Sequence, residues 1–331
     1  MGKESVFRAL EQSAGGYVSG EELSEQLGIS RAAVWKSIRS LRADGYIIEA
    51  LAGRGYRLCA SPDALTEREI RRFLDETETV GARLDCFSSI GSTNTYLKTL
   101  ADAPDGTVAV AEEQTAGRGR RGRSFESPSG KGVYLSALLR PKLPPEKLIT
   151  LTGLCAVAMC SAVERAAGER PQIKWTNDLV LHGKKLAGIL TELSFEGESG
   201  EVQYAVVGIG VNVNQAAEDF SPEVASLATS LAATLGRSVS RAALAAAMIG
   251  ELDKMYRALQ SGNIAPYLAA YRRDCVTLGA QVQLLWQDAK EKVEALDIDD
   301  QFGLIVRREN GTVETVRTGE VSVRGLYGYV E

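Results

Sequence analysis

Residues 174–190 read K-W-T-N-D-L-V-L-H-G-K-K-L-A-G-I-L, and Glu192 follows them. Apolar residues on both sides of His182-Gly183 predict two strands joined by a turn there. Lys185 opens the second strand, where its ammonium group could neutralise a carboxylate or phosphate, although such a lysine is more commonly a plain surface residue. Residues 206–214, V-V-G-I-G-V-N-V-N, predict a buried strand that another group approaches closely at its glycines. These residues predict the sheet of an α/β unit.

An arginine-rich loop lies upstream, at residues 117–123, G-R-G-R-R-G-R, after a strand predicted at 108–111. Arginine can pair with phosphate through two hydrogen bonds, and glycine lets the backbone approach a ligand, so the loop predicts an anion site. The residues of a Walker loop and of a Rossmann fingerprint are missing from it. Taken alone, the loop is equally typical of an RG segment that touches nucleic acid nonspecifically.

Residues 90–94, I-G-S-T-N, precede a predicted helix. Ser92, Thr93 and Asn94 are typical helix caps, and that is the simpler interpretation. The same small polar groups could also hold a neutral polar ligand.

The chain has 331 residues, of which 44% are hydrophobic and 24% are charged, which favours a folded soluble protein of two or three domains. Its five cysteines are scattered without a C-x-x-C pair, which favours a reducing cytoplasm. Residues 1–10 contain no apolar run typical of a signal peptide. Residues 148–163 are too short and too polar to cross a bilayer and predict a buried helix. The single histidine, His182, argues against a zinc cluster or a catalytic triad.

The first sixty residues differ in charge from the rest, because they hold eight Lys or Arg against seven Asp or Glu in a chain of net charge −5. A first helix near the amino terminus, a second capped by Ser19 and Glu22, and a third running from Ser30 to about Arg42 are predicted. A strand pair around the Gly53-Arg54-Gly55 turn follows. Helix, turn, basic helix and hairpin together predict a winged helix-turn-helix.

Such a unit suits DNA, because a basic helix fits the major groove and a hairpin can reach the backbone. A helical module that docks protein is the alternative. Trp35 is left out of the predicted contacts, because an aromatic residue in that helix is more often packed against the hairpin. The predicted DNA contacts are Arg31, Lys36, Arg39, Arg42 and Arg54.

From about Leu278 the pattern changes to short alternating apolar runs, which predict a small β-barrel. The sequence therefore predicts an α/β multidomain chain with boundaries at 1–62 for the winged helix, 63–277 for the central mixed unit and 278–331 for the barrel.

In order and approximate spacing, the five runs I-G-S-T-N, G-R-G-R-R-G-R, K-W-T-N-D-L, K-K-L-A-G-I-L and G-I-G-V-N-V resemble the biotin protein ligases. With the winged helix in front, nearly the whole chain is similar to the two-function form that also represses biotin genes. The resemblance implies a class II synthetase-like catalytic domain and an SH3-like carboxy-terminal domain. The related lipoate and octanoate transferases share the fold but are not expected to carry the arginine loop or the winged helix.

The resemblance also implies roles for single residues. Lys185 would contact the biotin carboxylate and the α-phosphate, and the arginine loop would fold over biotin and the adenylate, so Lys185, Arg120 and Arg118 are the predicted catalytic residues. Biotin would be bound by Ser92, Thr93, Asn94, Gln114, Arg118, Gly119, Arg120, Lys185 and Gly188. ATP or the adenylate would be bound by Arg120, Arg121, Phe125, Asn177, Lys185, Asn212 and Arg324.

Two positions depart from the family pattern. Thr176 stands where the family usually has proline, and Asp297 stands where it has glycine. Asp178 is a possible Mg²⁺ or acceptor-lysine contact, and Arg324 could equally belong to a barrel that only packs on the catalytic unit.

The implied activity is formation of biotinyl-5'-AMP from biotin and ATP with Mg²⁺, followed by transfer of biotin to a lysine of a biotin carboxyl carrier protein. The implied regulator is a homodimer that binds operator DNA when it holds biotinyl-AMP, in a cytoplasmic protein with no membrane partner. The alternatives are a ligand-sensing regulator without ligase activity and a lipoate- or octanoate-transferring enzyme.

Overall fold

A computed structural model of the chain describes residues 2–100, 102–197, 201–286, 289–317 and 322–325, with backbone alone at 286, 289–290 and 322–325. It divides into two compact units, residues 1–63 and 64–331, each taken here by itself.

The amino-terminal unit contains three helices and a hairpin, in the predicted order. Ser19 accepts from the backbone N–H of Glu22, whose carboxylate accepts from the N–H of Ser19, so the predicted capping box is present. Ser30 caps the third helix by accepting from Ala33. The elements are α1 (Gly2–Gln12), α2 (Gly20–Leu27), α3 (Arg31–Ala43), β1 (Ile47–Leu51) and β2 (Gly55–Ala60).

Helix α3 packs through the predicted stripe, because Val34, Ile38 and Leu41 are all buried in the core of this unit. Trp35 differs from the expectation. Its side chain is 56% exposed rather than packed away against the hairpin, and the guanidinium of Arg39 lies 5.6 Å from the centre of its ring.

The second unit is built on a seven-stranded mixed sheet in the order β3-β4-β5-β9-β8-β7-β6. Only the β3–β4 pair is parallel among these described strands. The turn between β7 and β8 falls at His182-Gly183, as predicted. The strands are β3 (Leu84–Phe87), β4 (Thr107–Ala111), β5 (Gly132–Leu139), β6 (Gln172–Lys174), β7 (Asp178–Leu181), β8 (Lys184–Phe195) and β9 (Val202–Asn212).

Helices cover this sheet and connect its strands. The helical segment Pro145–Ala167 is the one described segment long and apolar enough to cross a membrane, so the prediction that residues 148–163 are too short and too polar for this was wrong. The prediction of a core helix is confirmed, because 72% of its most apolar stretch is buried inside the protein. The helices are α4 (Glu67–Arg71), α5 (Thr93–Lys98), α6 (Pro145–Leu148), α7 (Leu151–Ala167), α8 (Pro222–Ala225), α9 (Leu231–Leu235), α10 (Arg241–Ser261) and α11 (Ala265–Asp274).

The carboxy-terminal strands form a five-stranded antiparallel sheet in the order β13-β12-β11-β10-β14. Its apolar residues, including Val282, Ile298 and Phe302, join the hydrophobic core of the central sheet. The carboxy-terminal sheet and the central sheet therefore share one core. The side chain of Arg324 lies outside the described residues. The strands are β10 (Gln281–Trp286), β11 (Ala289–Ile298), β12 (Leu304–Arg308), β13 (Val313–Val316) and β14 (Ser322–Gly325).

Phe302 packs the carboxy-terminal sheet against the central unit. Its ring packs edge-on against Tyr271 at 5.1 Å, and its carbonyl accepts from the indole N–H of Trp175 at 2.9 Å. A Cβ added at Gly153 in α7 would lie only 2.3 Å from the same ring. The fit therefore depends on the missing side chain at Gly153.

We expect Gly153→Ala to lower the free energy of unfolding by about 1–3 kcal/mol, because an overpacked core must shift around the new methyl group. Chemical denaturation followed by fluorescence measures the change. Gly250→Ala in α10 is the matched control, since no atom lies within 4 Å of a Cβ there, and there alanine should stabilise by up to about 1 kcal/mol. Equal stabilities for the two variants would contradict the described packing.

Candidate active site and nucleic-acid interface

One cavity in the central unit brings together all nine residues predicted to bind biotin. Their elements are distant in sequence: the start of α5, the segment after β4, the arginine loop and the start of β8. Four further predicted residues line the same cavity, namely Arg121, Phe125, Asn177 and Asp178.

The start of α5 and Gln114 form the polar end of the cavity. Ser92 caps α5 by accepting from the backbone N–H of Thr95, which confirms the capping interpretation. Ser92 also lines the cavity. The side-chain oxygen of Gln114 accepts from the backbone N–H of Thr93 at 3.0 Å, and its amide N–H donates to Ser127 at 3.1 Å. The amide orientation of Gln114 is therefore fixed.

The arginine loop closes on itself beside the cavity. The N–H of Gly119 donates to the carbonyl of Arg123 at 2.7 Å, and the N–H of Phe125 donates to the carbonyl of Gly117 at 2.9 Å. The Phe125 ring lies over strand β9, where a Cβ added at Gly210 would be 2.4 Å from it.

Arg120 connects this loop to the turn before β7. Its Nη1 donates to Oδ1 of Asn177 at 2.8 Å, and the Asn177 amide N–H donates to the carbonyl of Ile189 at 3.0 Å. Burial lowers the pKa of Arg120 from its ordinary value, the charge of Arg121 adds to that shift, and Asp178 opposes it. A guanidinium held in a partly desolvated place interacts strongly with an anion.

Lys185 and Asp178 form an ion pair, with Nζ 2.8 Å from Oδ1. The backbone of Lys185 is held by hydrogen bonds to Leu227 and Thr229. A Cβ at Gly188 would touch the Lys185 Nζ at 3.4 Å, so the glycine leaves room for the lysine to lie along its own strand.

Cationic groups dominate the cavity wall. Among its described lining residues, Asp178 is the one acidic side chain, and the cations are Arg118, Arg120, Arg121, Arg123 and Lys185. Such an excess of positive charge, partly shielded from water, favours a ligand that carries several negative charges.

Two residues predicted to bind the nucleotide, Asn212 and Arg324, are not among the described residues that line this cavity. Asn212 is buried, donates to the carbonyl of Thr229 at 3.1 Å and accepts from Gln215, so it supports the segment that pairs with Lys185. Its nucleotide role stays a prediction, as does that of Arg324.

Sequence reasoning missed several groups of the wall. Ser136 on β5 is fully buried and binds both Thr93 and Asn94, and Ile189, Leu190 and Gly208 also line the cavity. The glycines of residues 206–214 predicted that another group approaches this strand closely. A single serine in an apolar strand predicts no contact with a ligand.

The turn that presents Asn177 and Asp178 is held from behind. The backbone N–H of Trp175 donates to Thr277 at 2.9 Å, its indole donates to Phe302, and Tyr271 donates to the carbonyl of Thr176 at 3.3 Å. Thr176, the departure from the family pattern, is therefore firmly held in this turn.

In the amino-terminal unit, the predicted DNA-contacting side chains differ in their surroundings. Lys36, Arg39 and Arg54 are exposed, and Arg31 lines a cleft with Trp35 and the tip of the hairpin. Arg42 instead donates to the carbonyl of Ile48, at 3.0 Å from Nε and 2.6 Å from Nη2, so it fastens α3 to the hairpin. Its DNA contact stays a prediction.

Comparisons with known proteins found relatives for both units. Residues 86–212 match the model of the biotin/lipoate A/B protein ligase family, and residues 3–57 match an HTH domain. The chain is 36% identical to the bifunctional ligase/repressor BirA of Bacillus subtilis over 97% of this chain and 98% of that protein. It is 32% identical to BirA of Escherichia coli over 94% of each.

The chain belongs to the bifunctional ligase/repressor (BirA) family. The biotin protein ligase from Aquifex aeolicus in complex with biotin and ATP has a similar structure, with a TM-score of 0.63 and 26% identity over 74% of this chain and 99% of that one. The chain is therefore a ligase with a DNA-binding helix-turn-helix unit, which confirms the family that the motifs predicted.

We expect Gly210→Ala to push the Phe125 ring off β9 and open the arginine loop. Limited trypsin digestion followed by mass spectrometry measures this, because the loop contains four arginines at residues 118–123. Cleavage there should be faster by about tenfold, since proteolysis follows the population of the open form. Gly91→Ala, where a Cβ meets open space, is the control and should be cut as wild type. An unchanged rate for Gly210→Ala would contradict the contact.

Proposed function

We propose that this protein activates biotin with ATP to biotinyl-5'-AMP, transfers biotin to a lysine of a biotin carboxyl carrier protein, and represses biotin genes with biotinyl-AMP as corepressor. The observation that carries the proposal is the cavity in which five cations and the polar start of α5 meet in a chain of the BirA family. One end suits a neutral polar ring, and the other suits phosphate.

The reaction has two steps. A biotin carboxylate oxygen attacks the α-phosphorus of ATP, the bond to the β-phosphate oxygen breaks, and pyrophosphate leaves. The amine of the acceptor lysine then attacks the acyl carbon, AMP leaves and the amine loses its proton. Negative charge gathers on phosphate oxygens in the first step, so preorganised cations lower the barrier without an enzyme nucleophile.

Four of the five cations have a place in this scheme. Lys185, held by Asp178 at 2.8 Å, would bridge the biotin carboxylate and the α-phosphate. Arg120, held by Asn177, would bind the phosphate side, and Arg118 with Gly119 would cover biotin. The closed loop would shield the mixed anhydride from water. Arg121, Phe125, Asn212 and Arg324 remain proposed nucleotide contacts.

Mg²⁺ fits this cavity as a companion of ATP. Proteins hold it through one or two carboxylates together with substrate phosphates, and Asp178 is the acidic side chain among the described lining residues. Bound there, the ion would neutralise phosphate charge. No group of three or more His, Cys, Asp or Glu side chains that could hold a metal by itself occurs in the described part of the chain.

The remaining parts of the proposal concern architecture and location. The catalytic domain at 63–277 is class II synthetase-like, and the strands of 278–331 form an SH3-like barrel that supports the Trp175–Asp178 turn. The liganded protein is a cytoplasmic homodimer that binds a two-fold operator through residues 1–62.

We expect Lys185→Ala and Arg120→Ala each to lower the rate of adenylate formation by at least about tenfold, because each removes a charge that stabilises the transition state. Biotin-dependent exchange of labelled pyrophosphate into ATP measures this step. Lys184→Ala is the matched control, since that neighbouring lysine is exposed and does not line the cavity.

Transfer of labelled biotin to a carboxyl carrier domain completes the assay. Wild-type rates in both cavity variants would contradict the assigned roles, and no transfer by the wild-type protein would leave only a regulator. Competition by unlabelled octanoate or lipoate tests the lipoate-type alternative.

We expect the logarithm of the binding constant for a biotin-gene operator to fall linearly with the logarithm of the salt concentration. The slope should be about 0.9 for each phosphate contacted. Arg54→Ala should reduce that slope by about one. Arg8→Ala in α1, an exposed arginine beside Glu4, is the control and should not change it. Adding biotin and ATP together should tighten binding, and a flat salt response would contradict the DNA interface.

A further inference from the structure

Glu192 follows the 174–190 run and has no role so far. It lies on β8 two positions beyond Leu190 and four beyond Gly188, so it faces the same side of the sheet as these two residues of the cavity wall. It does not line the cavity itself.

Two residues of α5, one helical turn apart, converge on its carboxylate. Nδ2 of Asn94 donates to Oε2 at 2.9 Å, and Nζ of Lys98 donates to Oε1 at 2.8 Å. Residues four apart on a helix share a face, which explains why both reach the same group. Burial by itself would raise the pKa of Glu192, but the hydrogen bonds from Lys98 and Asn94 outweigh it, so this pKa lies below its ordinary value. The carboxylate is therefore ionised at neutral pH and only accepts hydrogen bonds.

This acceptor fixes the amide of Asn94. Because Nδ2 points to Glu192, Oδ1 points to Ser136, whose hydroxyl donates to it at 2.6 Å. Asn94 is 4% exposed, and a Cβ added at Gly208 would lie 2.0 Å from its Oδ1, so the side chain has no other room.

The same chain of hydrogen bonds continues from Asn94 through Ser136 to Thr93 in the cavity wall. Ser136 has given its proton to Asn94, so toward Thr93 it can only accept, across 2.7 Å. The Thr93 hydroxyl lies within hydrogen-bond distance of two acceptors, Ser136 Oγ at 2.7 Å and Gln114 Oε1 at 3.0 Å, and Oε1 also accepts from the Thr93 backbone N–H at 3.0 Å. These contacts hold the hydroxyl in place in the cavity wall.

We propose that Glu192 is a positioning residue for biotin: its carboxylate fixes the Asn94 amide and, through Ser136, the place of the Thr93 hydroxyl in the cavity wall. This inference rests on the proposed function. It predicts that the Glu192–Lys98 pair affects the binding of biotin and not the binding of ATP. A glutamine cannot replace Glu192, because both of its partners donate and an amide offers one acceptor atom.

The test measures the biotin Kd by calorimetry without ATP, and the KM values for biotin and ATP with kcat in pyrophosphate exchange. Glu192→Ala and Glu192→Gln should each raise the Kd and KM for biotin by about tenfold, as expected when a hydrogen bond to a charged group is lost, and leave the KM for ATP within about twofold. Glu192→Gln has nearly the wild-type shape and decides the question if the alanine variant does not fold.

Glu164→Ala is the matched control, because this half-exposed glutamate on α7 is also ion-paired, to Arg170 at 2.7 Å, and does not line the cavity. It should bind biotin as wild type. Lys98→Met keeps the Asn94 hydrogen bond and should raise the biotin Kd by only about threefold, the size of a partly exposed ion pair.

Biotin binding within about twofold of wild type in both Glu192 variants would overturn the inference and leave the proposed function standing. A parallel rise of both KM values with a lower melting temperature would overturn it as well, since that is the mark of a general structural role. Wild-type protein that binds no biotin would overturn the proposed function and this inference together.

Discussion

The second unit depends on keeping several positive charges beside one cavity without neutralising them. A guanidinium or ammonium group out of water is costly unless it is hydrogen-bonded, yet a full set of carboxylate partners would cancel the field that a phosphate ligand needs. Arg120 and Lys185 meet both demands with different partners. Arg120 is held by the neutral amide of Asn177, and Lys185 is held by the single carboxylate of Asp178.

That arrangement requires rigid support from outside the cavity. The turn carrying Asn177 and Asp178 is held by Thr277, Tyr271 and the carbonyl of Phe302, so residues near the carboxy-terminal sheet fix the partners of both cations. A shared hydrophobic core makes this support continuous. The carboxy-terminal sheet thus supports one wall of the cavity through packing.

The polar end of the cavity follows a different principle. Its serine, threonine and asparagine side chains are buried, so each donor must find an acceptor, and a consistent direction of hydrogen bonds must run through them. An ionised carboxylate at the end of the chain supplies that direction. In the proposed function, the two ends separate the recognition of a neutral ring from the stabilisation of phosphate charge.

The sequence by itself determined the family, the helix-turn-helix, the strands around His182-Gly183 and the nine cavity residues assigned through the resemblance, because these depend on local capping, alternation and motif order. It did not predict that Arg42 would bind the hairpin, that Trp35 would be exposed, that Ser136 would line the cavity, or that Glu192 would bind Asn94. The contacts of Ser136 and Glu192 with Asn94 join strands and a helix that are 42 and 98 residues apart in the chain. Only the tertiary structure decides such contacts, since a side chain's partner across a sheet leaves no local pattern in the sequence.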